Sequence, residues 1–284
     1  MSSFSFSRRN GKTATAVATL AAAALVLSGC AATGDGGAAG GELTLKIGTA
    51  LPQTGNLAFL GPPEEAGVAL AIKEINEADK GVQIEVTWGD SGDTDNKAYE
   101  TEIPRLLNAG VNAILGAASS GTSLQFIDQV VGAGVIQFSP ANTSATLTTY
   151  DDKGLYFRTA PPDKLQGAVL ANLIAGDGAA TVYIMALDDA YGTGLADAIE
   201  ANLTAAGVEV VGKKIYDPKA TTFDAEVDEI VAANPDAIML VTFDEGSRIL
   251  RTMVEKGVGP KVKKVYGCDG NMGNALGENF DSGK

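Results

Sequence analysis

From residue 43 to residue 266 the chain alternates short β-prone runs with segments whose apolar residues recur at helical spacing. That alternation limits it to an α/β architecture with parallel sheets covered on both faces. Strands are expected at 43–50, 82–88, 111–115 and 135–138, and then at 181–186, 208–215, 237–241 and 264–266. Helices between the first four are marked by Val68, Ala71, Ile72 and Ile75 after a Pro62-Pro63 start, by Ile103, Leu106 and Leu107, and by Leu124, Ile127 and Val131. Pro104 must kink the second of these or lie in its first turn. The later helices carry Leu165, Val169 and Leu173, then Leu195, Ile199 and Leu203. They continue with Phe223, Val227, Ile230 and Val231, and with Ile249, Leu250, Met253 and Val254. An irregular stretch, 139–154, leads into Tyr156-Phe157-Arg158-Thr159-Ala160-Pro161-Pro162 and divides the alternation into two runs. It reads as the crossing between two Rossmann-like lobes, residues 43–158 and 159–284.

The first 42 residues stand apart. Arg8, Arg9 and Lys12 precede a charge-free run at 13–27, which has the length of a signal-peptide apolar region. It is too short to cross a bilayer, which takes about 20 residues. The run ends in Leu27-Ser28-Gly29-Cys30, which resembles the lipobox of bacterial lipoproteins, whose cysteine becomes the lipid-modified N-terminus. Residues 1–29 are therefore expected to be a signal peptide and Cys30 a lipid anchor. An ordinary secretory signal that contains a cysteine is the alternative. Residues 30–42, rich in Gly and Ala, read as a flexible tether. The chain is thus expected to lie outside the cytoplasm, anchored to the bacterial cell membrane.

Several chemistries are disfavoured. The formal charge is −14 and no basic cluster follows the leader, so nucleic acid is not an expected partner. Histidine is absent, which removes the usual general base and the commonest metal ligand. With Cys30 lipidated, Cys268 is left unpaired, so neither a disulfide nor a cysteine metal site is expected. The turn after the first strand, Thr49-Ala50-Leu51-Pro52-Gln53-Thr54-Gly55, lacks the G-x-G-x-x-G pattern, and no Walker sequence occurs. No cofactor is expected.

Open α/β sheets bind ligands beyond the carboxyl ends of their strands. Two such ends are rich in small hydroxyl residues, Gly116-Ala117-Ala118-Ser119-Ser120-Gly121-Thr122-Ser123 and Ser139-Pro140-Ala141-Asn142-Thr143-Ser144. Hydroxyls and free N–H groups at a helix start suit a carboxylate, although an ordinary N-cap or a solvated turn has the same composition. In the second half, Asp188-Asp189-Ala190-Tyr191-Gly192 opens a helix, either as a plain cap or with the Tyr191 ring against a ligand. Tyr266-Gly267-Cys268-Asp269-Gly270 ends a strand with an acid suited to an ammonium group, or with a solvated turn residue.

In order, these pieces resemble the periplasmic binding proteins of the Leu/Ile/Val-binding type. The likeness is carried by 47–61 with 66–76, 116–123, 138–148, 156–161, Asp189-Ala190-Tyr191-Gly192-Thr193-Gly194-Leu195-Ala196 and 266–276. The resemblance implies two lobes closing on a free amino acid and delivering it to an ABC permease, as a monomer and without catalysis. It implies that Ser120, Ala141 and Thr143 hold the ligand carboxylate, that Asp269 receives the ammonium, and that Tyr191 is a cleft aromatic. Leu60 and Phe243 would shape the side-chain pocket. The family often has a first-lobe disulfide, and Ser119 stands where its second cysteine would be. Asp269 is shorter than the family's usual acid, which leaves amides, urea or aromatic acids open as ligands. A ligand-sensing receptor domain, and an enzyme using Asp188, Asp189 or Asp269, remain the other readings. The family's chains run on past the Asp269 region and cross back to the first lobe. The stop at Lys284 is therefore read as either a truncated product or a fragment of a longer chain, and the chain as given is expected to expose sheet edges and to fold poorly or bind weakly.

Overall fold

The computed structural model describes residues 43–273 and 276–277; the expected signal peptide, Cys30, the expected tether and the ending at Lys284 lie outside the described residues. The first sheet is built from β1 (Leu43–Ala50), β2 (Val82–Thr87), β3 (Ala113–Gly116), β4 (Ile136–Ser139) and β5 (Tyr156–Arg158), in the order β2-β1-β3-β4-β5. The second holds β6 (Thr181–Leu187), β7 (Glu209–Tyr216), β8 (Ala237–Val241) and β9 (Lys264–Tyr266), in the order β7-β6-β8-β9. Helices α1 (Gly61–Glu77), α2 (Tyr99–Asn108) and α3 (Ser120–Gly132) alternate with the first strands. Helices α4 (Asp163–Gly176), α5 (Gly192–Ala205), α6 (Asp224–Ala233) and α7 (Gly246–Glu255) alternate with the later ones. This is the expected α/β architecture with two parallel sheets. None of the described helices is long and apolar enough to cross a membrane.

The central strands explain themselves chemically. β8 is an unbroken Ala-Ile-Met-Leu-Val run buried along its whole length, and β6 is buried from Val182 onward, as parallel strands covered by helices must be. Leu195, Ile199 and Leu203 of α5 are fully buried, in line with their helical spacing. Parallel registers align the carboxyl ends of neighbouring strands: Ala50 faces Gly116, and Ser139 faces Arg158. The two lobes touch directly. Leu57 and Ala118 of the first pack into the apolar core of the second, Ser144 Oγ donates to the Ala190 carbonyl at 3.0 Å, and Lys219 pairs with Asp95 at 2.6 Å.

Some expectations need correction. Tyr156–Arg158 is not crossing chain but a fifth strand, paired in parallel with β4. Its three residues are too few to show a period, and they are held by the Tyr156 hydroxyl on Asn142 Oδ1 and by Arg158 on the Ser144 carbonyl. Pro104 lies in the second turn of α2 rather than the first, because the helix starts early, with Tyr99 N–H donating to the Ser91 carbonyl. The apolar stripe of α4 also points elsewhere. Leu165, Val169 and Leu173 are about half exposed, whereas Gly167, Ala171 and Ile174 are buried. Gly167 lies so close to α5 that a Cβ there would come 2.8 Å from that of Ala198, so small residues form the helix contact and large ones are turned away. Ile75 on α1 and Val231 on α6 are likewise exposed.

Candidate functional site

The loops beyond the carboxyl ends of β3 and β4 are wired to each other by buried polar groups. Ser139 Oγ donates to the Ala117 carbonyl at 2.6 Å and accepts the N–H groups of Ala141 and Asn142. Asn142 Nδ2 donates to the carbonyls of Ala117 and Ala118 at 3.0 and 2.7 Å. Ser119 caps α3 by accepting the Thr122 N–H. Ser120 Oγ accepts the N–H groups of Thr143 and Ser144 at 3.3 and 3.2 Å. Both bonds use its lone pairs, which leaves its own O–H to donate outward. The first-turn N–H groups of α3 have no intrahelical partner and carry the positive end of the helix dipole.

Across the cleft, Asn271 fastens the 267–271 turn. Its Oδ1 accepts the Cys268 N–H at 3.1 Å and its Nδ2 donates to Thr242 Oγ1 at 3.0 Å. The Tyr191 hydroxyl donates to Asp269 Oδ1 at 2.7 Å and accepts the Gly270 N–H at 3.1 Å, while its ring stacks on Phe243 at 5.3 Å. A Cβ on Gly270 would sit 2.7 Å from the Tyr191 oxygen, so the close approach requires glycine. Asp269 is also gripped by Gln166, whose Nε2 donates to Oδ1 at 2.8 Å and whose Oε1 accepts the Asp269 N–H at 3.1 Å.

The two loop systems flank one cleft of about 810 Å³, lined among others by Ser119, Ser120, Gln166 and the 267–271 turn, within the usual size for small-molecule sites, about 300–1,000 Å³. The structure brings Leu60, Ser120, Ala141, Thr143, Tyr191, Phe243 and Asp269 together on its walls. Two qualifications follow from the geometry. The Ala141 N–H is committed to Ser139 Oγ at 3.2 Å and is no free donor, and the Tyr191 hydroxyl serves Asp269 and Gly270 within the protein. Asp189 accepts the N–H groups of Tyr191 and Gly192 at 2.9 and 2.7 Å, capping α5, and neither it nor Asp188 shares the cleft with Asp269. Sequence reasoning missed Leu57, Glu64, Leu165, Gln166 and Met272 on the walls. Glu64 had a faint signal, a charge in the first turn of a helix that opens beside a strand end.

Burial perturbs several carboxyls. It raises Asp163, whose Oδ2 is buried without a hydrogen-bond partner, to about 6, and raises Asp189 to about 6 against the two N–H groups it caps. It raises Glu64 from 4.5 to about 7, and Glu64 Oε2 is buried without a hydrogen-bond partner. The buried Cys268 thiol is pushed up to about 12 and stays protonated at neutral pH. For Glu64 the folded state holds its proton more tightly than the unfolded state does. This group therefore costs stability as pH rises from 4.5 to about 7, and the cost is complete above that. Glu64→Gln is expected to stabilise the protein at pH 8 by about 1–2 kcal/mol, discounted for partial solvent access, with no gain near pH 4. Urea melts of both proteins at the two pH values check this; an equal difference at both would refute it.

A family model described as periplasmic binding protein matches residues 44–281. The leucine-, isoleucine-, valine-, threonine- and alanine-binding protein of Pseudomonas aeruginosa is 31% identical over 171 residues, which are 59% of this chain and 45% of that protein. Leu/Ile/Val-binding protein homolog 1 of Brucella suis is 28% identical over 248 residues, 85% of this chain and 64% of that one. In structure, the branched-chain amino acid transporter substrate-binding protein of Streptococcus pneumoniae, solved with isoleucine, matches with a TM-score of 0.72 and 27% identity. That match covers 83% of this chain and 67% of the other. The chain thus spans roughly half to two thirds of the length of these relatives.

Proposed function

The chain belongs to the periplasmic binding protein family, and on that footing we propose that it captures a free amino acid of the branched-chain class between its two lobes. The observation that carries this reading is the bipolar cleft. One wall offers the Ser120 O–H, the Thr143 hydroxyl and the N-terminus of α3, all suited to a carboxylate; the other offers the Asp269 carboxylate, suited to an ammonium. Between them, Leu57, Leu60, Leu165, Phe243 and Met272 make an apolar wall for an aliphatic side chain. The names of the relatives support the same ligand class.

In this reading the residues through 29 are removed on export, the chain is held at the outer face of the membrane through lipid on Cys30, and the ligand passes to an ABC permease. The sequence Leu27-Ser28-Gly29-Cys30 supports the anchor. One lipid chain alone binds membranes only marginally, so stable anchoring calls for more than one.

Thermal melts against a panel of amino acids, amides, ureas and aromatic acids test the reading. Leucine, isoleucine or valine at about 100 times Kd should add about 2.7 kcal/mol of stability and raise Tm saturably, with no turnover of the ligand. A shift with ureas or aromatic acids but with no amino acid would overturn it.

A further inference from the structure

We propose that Gln166 is a positioning residue for the ammonium end of the cleft, acting through Asp269. This rests on the amino-acid reading above and adds a residue to it. Gln166 sits in the second turn of α4, 103 positions from Asp269 in sequence, and its amide meets Asp269 at two points. Oε1 accepts the Asp269 backbone N–H at 3.1 Å, and Nε2 donates to Asp269 Oδ1 at 2.8 Å. Nε2 also donates to Oδ1 of Asp163, a fully buried carboxyl, at 3.3 Å.

The amide cannot turn over. Reversal would set Oε1 against two carboxyl oxygens and Nε2 against an N–H, so each interaction would become repulsive. Both Nε2 protons are thereby committed inside the protein, and Gln166 faces the cleft as a brace rather than as a donor to the ligand. Its effect falls on Asp269. Gln166 and Tyr191 both donate to Oδ1, and among the described residues no donor reaches Oδ2. The two donors fix the carboxylate plane and leave Oδ2 as the oxygen free to receive an ammonium. Asp163 completes the brace by holding the far side of the Gln166 amide.

A double-mutant cycle on the full chain, read as isoleucine Kd by titration calorimetry, tests this. Gln166→Met keeps the length of the side chain and removes all three amide contacts, two of them to Asp269; it should weaken isoleucine about 10-fold. Added to Asp269→Asn, it should cost no more than about a further twofold, because the group it positions has already lost its charge. Should Gln166→Met fail to fold, Gln166→Glu serves instead: it sets a repelling charge beside Asp269 and should show the same lack of additivity. Unchanged affinity in the single variant, or losses that multiply in the double, would overturn the proposal while leaving the amino-acid reading standing. A wild-type protein that binds no α-amino acid would overturn both.

Discussion

Asp269→Asn is expected to weaken leucine or isoleucine by about 1.5–3 kcal/mol, a loss in Kd of roughly 10- to 150-fold. The substitution is chosen to change one thing. The asparagine carbonyl oxygen can still accept the Tyr191 hydroxyl and Gln166 Nε2, which in the native protein meet Asp269 Oδ1 at 2.7 and 2.8 Å. The turn is also held from outside the side chain, by Asn271 on Thr242 Oγ1 and on the Cys268 N–H. The ligand-free melt should therefore move little, and the lost affinity reports the charge. Removing the charge takes away the counter-ion proposed for the ligand ammonium, and a hydrogen bond between charged groups is the stronger kind. Titration calorimetry of wild type and variant reads the difference directly. An unchanged Kd, with the ligand-free melt also unchanged, removes Asp269 from the site.

Much of the fold was legible because its signals are local. The unbroken apolar run at 237–241, too short for a typical buried helix, reads as a strand buried on both faces, and it is one. The stripe Leu195, Ile199 and Leu203 reads as a core-facing helix surface, and is one. What a stripe does not encode is its partner. Leu165 and Val169 on α4 carry the same helical period, yet both line the ligand cleft, because Gly167 and Ala171 allow α4 to approach α5 on another face. On α1, Val68, Ala71, Ile72 and Ile75 likewise border a second groove of about 450 Å³ with Ile47, Ile84 and Leu115.

The cleft residues divide the same way. Ser120, Thr143, Tyr191 and Asp269 were readable because each follows a strand, and parallel strands deliver their following loops to one end of the sheet. Gln166 follows no strand that the sequence revealed, since Tyr156–Arg158 is only three residues long, and its partner is more than a hundred residues away. The wiring of Ser139 and Asn142 between the two hydroxyl-rich loops was equally hidden. Composition shows that both loops are polar, and only the register of β3 beside β4 shows that they bond to each other.

The same loops make Gly116 a sensitive backbone position near the site. It ends β3, the middle strand of the first sheet, and opens the segment that leads to Ser120. Its φ is +134°, in a region that only glycine enters without strain, and a Cβ there would overlap the Ala50 carbonyl of the neighbouring strand. Both penalties act on Gly116→Ala at once. The disfavoured backbone conformation costs on the order of 1–3 kcal/mol, and the overlap falls on backbone of a paired strand that cannot turn aside as a side chain would. The expected loss is about 3 kcal/mol or more, a fall in Tm of roughly 6–12 °C for a domain of this size. Ligand affinity should fall with it, because relief of the overlap pushes β3 away from β1 and shifts Ala117 and Ala118, whose carbonyls Asn142 uses to hold the 139–144 loop. A scan of the melting temperature and an isoleucine titration measure both effects. A variant that melts within about 1 °C of wild type would mean that the backbone at 116 is not held in this conformation, and the loop geometry assigned to Ser120 and Thr143 would fall with it.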